Sequence, residues 1–414
     1  VTTYAAAGVL IILFAVPQAV VLFFSLYILA LSHAGLLGDR GAGGEVGAGG
    51  RLRFAVLAAA HNEEAVIADL VASLKAQTYP SELYDVYVVA DRCTDRTAVI
   101  AEAAGAKVYR RDPDERSAPR RSKASALRFF FDRIEAEGLH YAAYVIMDAD
   151  NVVVPAFLQE LSDCLEQGYD VVQGLRASKN PEENPVARLD DAAESVALLE
   201  QRGRIRLGLS PRLCGSAMAL RESFLRAIGG WDPTCFSETV ELMALSTLFG
   251  FRVGWCPGAI SYDQKVSSIS QLSGQRHRWL AGEFEVLRRY LGRLLLQGLR
   301  GRDPHSLELA LYLCRMLAPR NVLIASCAVF LGLSLTERTG GLCASPWVWG
   351  TLLGGHLVSL LAALRVQGAS WRTYAALALS PLFVLVYLRA AVCMIRRAPV
   401  QVKTEHDVKA SEVS

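Results

Sequence analysis

The sequence predicts an α/β fold, a mostly parallel sheet carried on α-helical transmembrane and interfacial helices. Three observations predict it. Over residues 51–269, apolar strand-like runs alternate with helical patterns, as a parallel sheet with crossover helices requires. Uncharged apolar runs long enough to cross a bilayer stand before and after that region. The composition combines the two: 52% of the 414 residues are hydrophobic, mean hydropathy is +0.27, and the charged 20% nearly cancel to a net +2. A nucleic-acid binder carries a stronger basic excess, so no nucleic-acid partner is expected. The nine cysteines are scattered, with no CxxC pair and no zinc-type spacing, which fits reduced thiols facing a cytosol.

Residues 4–32 hold no charge and exceed the roughly 20 residues that span a bilayer, so 1–34 is read as a transmembrane helix, with Pro17 as its kink point. A cleaved signal would show a basic start and a shorter apolar core. Residues 35–50 are a glycine-rich linker. The domain 51–269 then begins with a strand at 54–58, a polar turn and a helix at 65–75. A strand ending at Asp91, a loop and a second helix follow, then the short strand "KVYRR", the helix "SKASALRFFFDRIEAEG" and the strand "YAAYVIMDADN". Residues 270–317 read as two Arg-rich amphipathic helices, 270–299 and 306–317. They suit either the headgroup layer or the surface of the globular domain.

The apolar runs return at 318–395. The run 316–336 carries only Arg320, and 345–364 is uncharged. The last run, 373–388, is short and holds Pro381 in its middle. Arg40, Arg51 and Arg53 follow the first helix, which places the globular domain in the cytoplasm and Arg365 and Arg372 on the same side. A full last span would then put Arg396, Arg397 and Lys403 outside. The expectation is therefore a re-entrant or interfacial pair broken at Pro381, with a cytoplasmic tail at 396–414; a further ordinary span is the alternative.

Ligands of such sheets bind beyond the carboxyl ends of the strands. Those ends are Ala60-His61-Asn62-Glu63, Asp91 and Asp148-Ala149-Asp150. No GxGxxG follows the first strand and no GxxxxGK[ST] occurs, which argues against dinucleotide and P-loop chemistry. Paired aspartates after an apolar strand can hold a hard divalent cation that bridges a diphosphate.

These motifs, in this order, resemble the inverting family-two glycosyltransferases, in particular the membrane-integrated polysaccharide synthases of bacteria. The resemblance runs over about residues 54–287 and extends to the membrane layout. It implies a Rossmann-like, glycosyltransferase-A type domain. "AAHNEE" then corresponds to a first nucleotide-contacting loop, with Ala60, Asn62 and Glu63, and "VVADRCTD" to a second, with Asp91 at the base. "SKASAL" resembles K-x-x-A-L, with Lys123 on nucleotide or phosphate. "DADN" is the DxD pair, in which Asp150 and Asp148 would ligate Mg2+ or Mn2+. "LCGSAMALR" resembles the segment lining the acceptor site, with Gly215 and Ser216, and "QRHRW" matches Q-x-x-R-W, with Gln275, Arg278 and Trp279 at the diphosphate and acceptor entrance.

One position departs. The family pattern T-E-D-x-E-L supplies the general base from its Asp, but here the stretch is "FSETVEL" and Thr239 stands in that place. A threonine hydroxyl accepts no proton at neutral pH, and a positioned base is worth about 10²- to 10⁴-fold in rate. Three explanations stand open: Glu238 or another acid such as Asp232 has taken the role, Thr239 is an introduced change, or the chain is a catalytically dead relative. The resemblance implies an inverting transferase of the inner (plasma) membrane with a cytoplasmic catalytic domain, which moves a sugar from a UDP- or GDP-sugar to a glycan or lipid-linked acceptor in polysaccharide synthesis. A homo-oligomer or export partners are compatible with it. The rivals are a non-catalytic scaffold in a glycan-export assembly and a membrane nucleotidyltransferase. The latter would show a Gly-rich basic loop near the first strand, which "AAHNEE" is not.

Overall fold

The computed structural model describes residues 2–38, 51–112, 123–316, 318–336 and 342–396. The chain opens with α1 (Thr2–Leu36), β1 (Phe54–Ala60), α2 (Ile67–Lys75), β2 (Tyr84–Asp91), α3 (Thr97–Ala103), β3 (Lys107–Arg111) and α4 (Lys123–Ala136). It continues with β4 (Ala143–Asp148), β5 (Val152–Val153), α5 (Phe157–Glu166), β6 (Val171–Ser178), α6 (Pro185–Arg206), β7 (Met218–Arg221), α7 (Glu222–Ala227), α8 (Glu238–Leu248) and β8 (Val253–Asp263). The helical remainder is α9 (Ile269–Gly301), α10 (Pro304–Arg315), α11 (Arg320–Leu335), α12 (Pro346–Val366), α13 (Trp371–Ala376) and α14 (Ser380–Arg396).

The strands form one sheet in the order β3-β2-β1-β4-β7-β6-β8-β5. It is mostly parallel but mixed: β1 to β4 pair parallel, whereas β7 runs against both β4 and β6. Strand β1 shows why the sheet is covered on both faces. Ala55 and Leu57 enter a core shared with α4, α8, α9 and α10, while Phe54, Val56 and Ala58 enter another with α2 and α5. The period of two does this, since successive side chains leave opposite faces. Register then fixes the site's location. Ala60 lies level with Ala90, and Ala59 level with Asp148, so three polar strand ends share one edge.

Caps mark the helices that matter most here. Asn184 accepts from the Val186 and Ala187 amides to start α6, with Pro185 at the first position. Ser268 caps α9, and Asp303 caps α10. Helix α1 lies on α6 with almost no space between them. A Cβ on Gly203 would stand 1.9 Å from the Leu31 carbonyl oxygen, and one on Gly35 would stand 2.1 Å from that of Leu199. These two glycines let an apolar helix dock backbone to backbone on the α/β domain.

The two amphipathic helices pack on the domain. Val286, Leu287, Tyr290 and Leu294 of α9 and Leu309 and Leu313 of α10 join its core. In the C-terminal region Pro381 does not interrupt the helical run, because it sits at the second residue of α14, where a missing N–H costs nothing. A 3₁₀ turn, Leu377–Leu379, leads into it, and Trp371–Arg389 is one run long and apolar enough to cross a membrane. Leu13–Leu36 and Pro346–Val366 also are. Helix α11, at 16 residues, falls short unless it is counted with α10 across a bend. Linker residues 39–50 and tail residues 397–414 lie outside the described residues.

Candidate active site

A cavity of about 1170 Å³ starts at the strand ends and runs between the C-terminal helices. Pockets for one small ligand rarely exceed about 1,000 Å³. Its polar end is built by loops that hold one another. Asn62 is left-handed (φ 56°), a conformation Asn tolerates, and its Oδ1 accepts the Thr94 amide at 2.7 Å. The Glu63 amide donates to Thr97 Oγ1 at 2.8 Å. Asp91 is buried and faces the fully buried Arg111 at 3.3 Å. The loops after β1 and β2 are thereby stapled into one wall.

The third strand end is held as firmly. The Asp148 amide donates to Asn151 Oδ1 at 3.0 Å, and Ser216 Oγ also reaches that oxygen. Asp150 is buried, and its Oδ2 accepts the Gln264 amide at 3.0 Å, tying the acidic turn to the exit of β8. Lys123, the first residue of α4, bridges the Asp148 carboxylate and the Gly215 carbonyl, the latter at 2.6 Å. Beside them, Arg176 and Lys265 flank Asp263. Burial pushes that carboxyl up, but the two cations outweigh burial and hold it below its ordinary range.

The "FSETVEL" segment closes over this wall. Glu241 is its clasp: it accepts the Thr234 and Cys235 amides, both at 2.8 Å, and the Tyr290 hydroxyl at 2.6 Å. Gly282 of α9 lets the segment approach, since a Cβ there would lie 2.7 Å from that of Ser237. Thr239 is buried against the Gly215 turn, where a Cβ would stand 3.1 Å from Thr239 Oγ1; Gly215 itself has φ +83°. Glu238 is half-buried and lines the cavity. Burial pushes its carboxyl up from the ordinary range, Lys123 and Arg278 oppose this, and Asp148 adds to it.

Residues 51–282, more than half of the chain, match the family model described as glycosyltransferase like family 2. The chain belongs to that family. A beta-monoglucosyldiacylglycerol synthase of Nostoc sp. strain PCC 7120 is 30% identical over 200 residues, 47% of this chain and 41% of the relative. The probable glycosyltransferase YdaM of Bacillus subtilis is 26% identical over 211 residues, 49% of this chain and 48% of the relative. The chain thus spans less than half the length of the curated relatives it matches. Among solved structures, a mannosyltransferase from Pyrobaculum calidifontis, in complex with GDP-Man and Mn2+, superposes with a TM-score of 0.55 at 16% identity, covering 94% of this chain and 98% of that one. That likeness shows a shared fold, of the glycosyltransferase-A type with apolar helices.

On this family-two domain the cavity wall gathers Ala60, Glu63, Asp91, Lys123, Asp148, Asp150, Gly215, Glu238, Thr239, Gln275, Arg278 and Trp279. Three expected residues stand off it. Asn62 is spent on stapling the loop to Thr94. Ser216 is fully buried behind the acidic turn. Asp232 is exposed and paired with Arg128, so it does not join the cavity. The structure also adds residues to the wall: Arg176, Asp263, Arg276 and Glu283. Arg276 stacks over Trp279 at 4.5 Å and pairs with Asp190. Arg276, Trp279 and Glu283 are spaced i, i+3, i+7, a pattern that marks one helix face and could have revealed them.

Proposed function

We propose that this chain is a membrane-bound inverting glycosyltransferase that moves a sugar from a nucleotide-diphosphate sugar to a lipid acceptor. The observation that carries this reading is the continuity of one cavity, from the paired aspartates to a mouth lined by Ile324, Leu360, Phe383 and Val384 of the apolar helices. A water-soluble acceptor needs no such mouth. The relatives named as monoglucosyldiacylglycerol synthases support a lipid over a growing glycan. Helices 13–36, 346–366 and 371–389 would hold the chain in the inner membrane, with the domain on the cytoplasmic side.

Asp148 and Asp150 are an oxygen-only pair beside the cavity, and magnesium or manganese binds through one or two carboxylates plus phosphate oxygens. The residues fit such an ion; among the described residues no cluster of three or more acidic, His or Cys side chains replaces them. When bound, the ion would neutralise charge on the leaving diphosphate. Lys123 and Arg278 bring positive charge to the same end. Glu238 accepts the proton of the acceptor hydroxyl as its oxygen attacks the anomeric carbon; the bond to the diphosphate breaks and the configuration inverts. Burial raises Glu238 toward the pKa that a base working near neutrality needs. Thr239, held against Gly215, takes no part in proton transfer.

The test is a screen of UDP- and GDP-sugars with membranes that contain the chain, with and without chelator. The anomeric configuration of the product is read by NMR. Turnover of none of them, or a retained configuration, sinks the reading. The scaffold alternative predicts no nucleotide binding, and titration with a nucleotide diphosphate plus manganese separates the two.

A further inference from the structure

One stretch of the cavity wall, a chamber lined by residues of α6, α9, α10 and α11, carries charged side chains of its own. Five arginines surround it, and each is committed to an acid. Arg212 meets Glu194 at 3.5 Å, Arg315 meets Glu200 at 3.6 Å, and Arg320 meets Glu200 at 3.4 Å. Arg204 pairs with Glu308 at 2.5 Å, and Arg276 pairs with Asp190. One charged group of the chamber wall stands apart. Glu283 of α9 is half-buried, and among the described residues it has neither a hydrogen bond nor an ion pair. The guanidinium groups of Arg315, Arg212 and Arg276 face it from beyond ion-pair distance.

We propose that this chamber seats the uncharged head of an acceptor lipid, whose hydroxyls donate to the Glu283 carboxylate, and that Glu283 excludes phosphorylated lipids. The proposal rests on the lipid-acceptor reading above and narrows it. With Glu283 ionised, these five arginines are matched by five carboxylates (Asp190, Glu194, Glu200, Glu283 and Glu308), of which Glu194, Glu200 and Glu283 line the cavity, so this set of charges is already balanced. A lipid phosphate would add negative charge to a desolvated, balanced set and set it beside a carboxylate, which is costly. A hydroxyl supplies the donor that Glu283 lacks, and no ion pair has to open. Burial pushes the Glu283 carboxyl up to about 7, against the pull of the arginines, so it is charged under mildly alkaline conditions. The acyl chains would continue along Ile324, Leu357, Leu360, Phe383 and Val384.

The test measures retention of radiolabelled dioleoylglycerol and of dioleoylphosphatidic acid by the full chain in detergent micelles at pH 8. Wild type should retain dioleoylglycerol at least about 10-fold more tightly, the scale of one hydrogen bond to a charged group. Glu283→Gln, which keeps the shape and removes the charge, should shrink that ratio by a similar factor. Equal or tighter retention of the phosphatidate by wild type overturns the proposal. So does retention of neither lipid, or a variant that keeps the wild-type ratio. The wild-type ratio stands as a test even if the variant fails to fold. Retention needs no turnover, so a failure here is distinct from a failure of the transferase reading, which shows in the nucleotide-sugar screen.

Discussion

The two ends of the cavity are built by opposite means. The proposed donor end consists of strand ends and short turns, where polar groups are held within a turn or across one sheet edge: Asn62 to Thr94, Asp148 to Asn151, Lys123 to Gly215. The end toward the apolar helices consists of helix faces from α6, α9, α10 and α11, where ion pairs join residues up to 120 positions apart, as Arg320 joins Glu200. The proposed donor end is therefore fixed by short turns that meet at one sheet edge. The other end depends on how helices dock, and on two glycines that let α1 reach α6. Changes at one end should leave the other's function intact, and that separation can be tested.

The largest expected effect is at the acidic turn. Asp150→Ala should abolish manganese-dependent nucleotide affinity, because it removes one of the two carboxylates proposed to hold the ion. Unchanged affinity in a titration with and without manganese would refute the assignment. Retention of a lipid acceptor should be untouched.

Next is the base. Glu238→Gln should lower kcat by about 10²- to 10⁴-fold with donor affinity within a few-fold. Thr239→Asp should gain little, because position 239 is buried against Gly215. A large gain from Thr239→Asp with no loss from Glu238→Gln would return the role to the family position.

At the other end, Gly203→Val places side-chain atoms where the Leu31 carbonyl now sits, and overpacking of this kind costs about 1–3 kcal/mol. Thermal unfolding in detergent should show the loss, together with weakened lipid retention. Nucleotide binding should persist. If it fails as well, the two ends are one cooperative unit and the comparison is wrong.

The smallest effect is on pH dependence. As the proposed base, Glu238 would act only when ionised, so kcat should fall as pH drops through its raised pKa. The stability sign follows the same shift. A carboxyl whose folded pKa lies above its unfolded value stabilises the fold at low pH, and that contribution is lost as pH rises through the folded pKa. Glu238→Gln should therefore melt slightly higher than wild type above that raised pKa and no higher below it. Melting curves across that range check the sign.

By itself the sequence determined the first four strands, their polar ends and the order of the motifs, but not β5 to β8. Alternation at a period of two and polar residues after apolar runs are local signals, so Ala60, Glu63, Asp91, Asp148 and Asp150 could be named before any coordinates, and all five line the cavity. Asn62 and Ser216 were legible as motif members, but their spending on Thr94 and Asn151 was not, because hydrogen-bond partners are fixed by how loops meet. Pro381 read as a break, yet its cost vanishes once it falls in the first turn of a helix, a boundary only the packed structure sets. Arg111 and Arg176 carried no local signal that sets them apart from surface charge, and the helical spacing that groups Glu283 with Arg276 and Trp279 said nothing of its surroundings. Their burial and their partners come from chain segments brought together by docking, and electrostatic environment is a property of that assembly. That is why the donor end could be read in advance, whereas the membrane-side chamber was decided by tertiary structure alone.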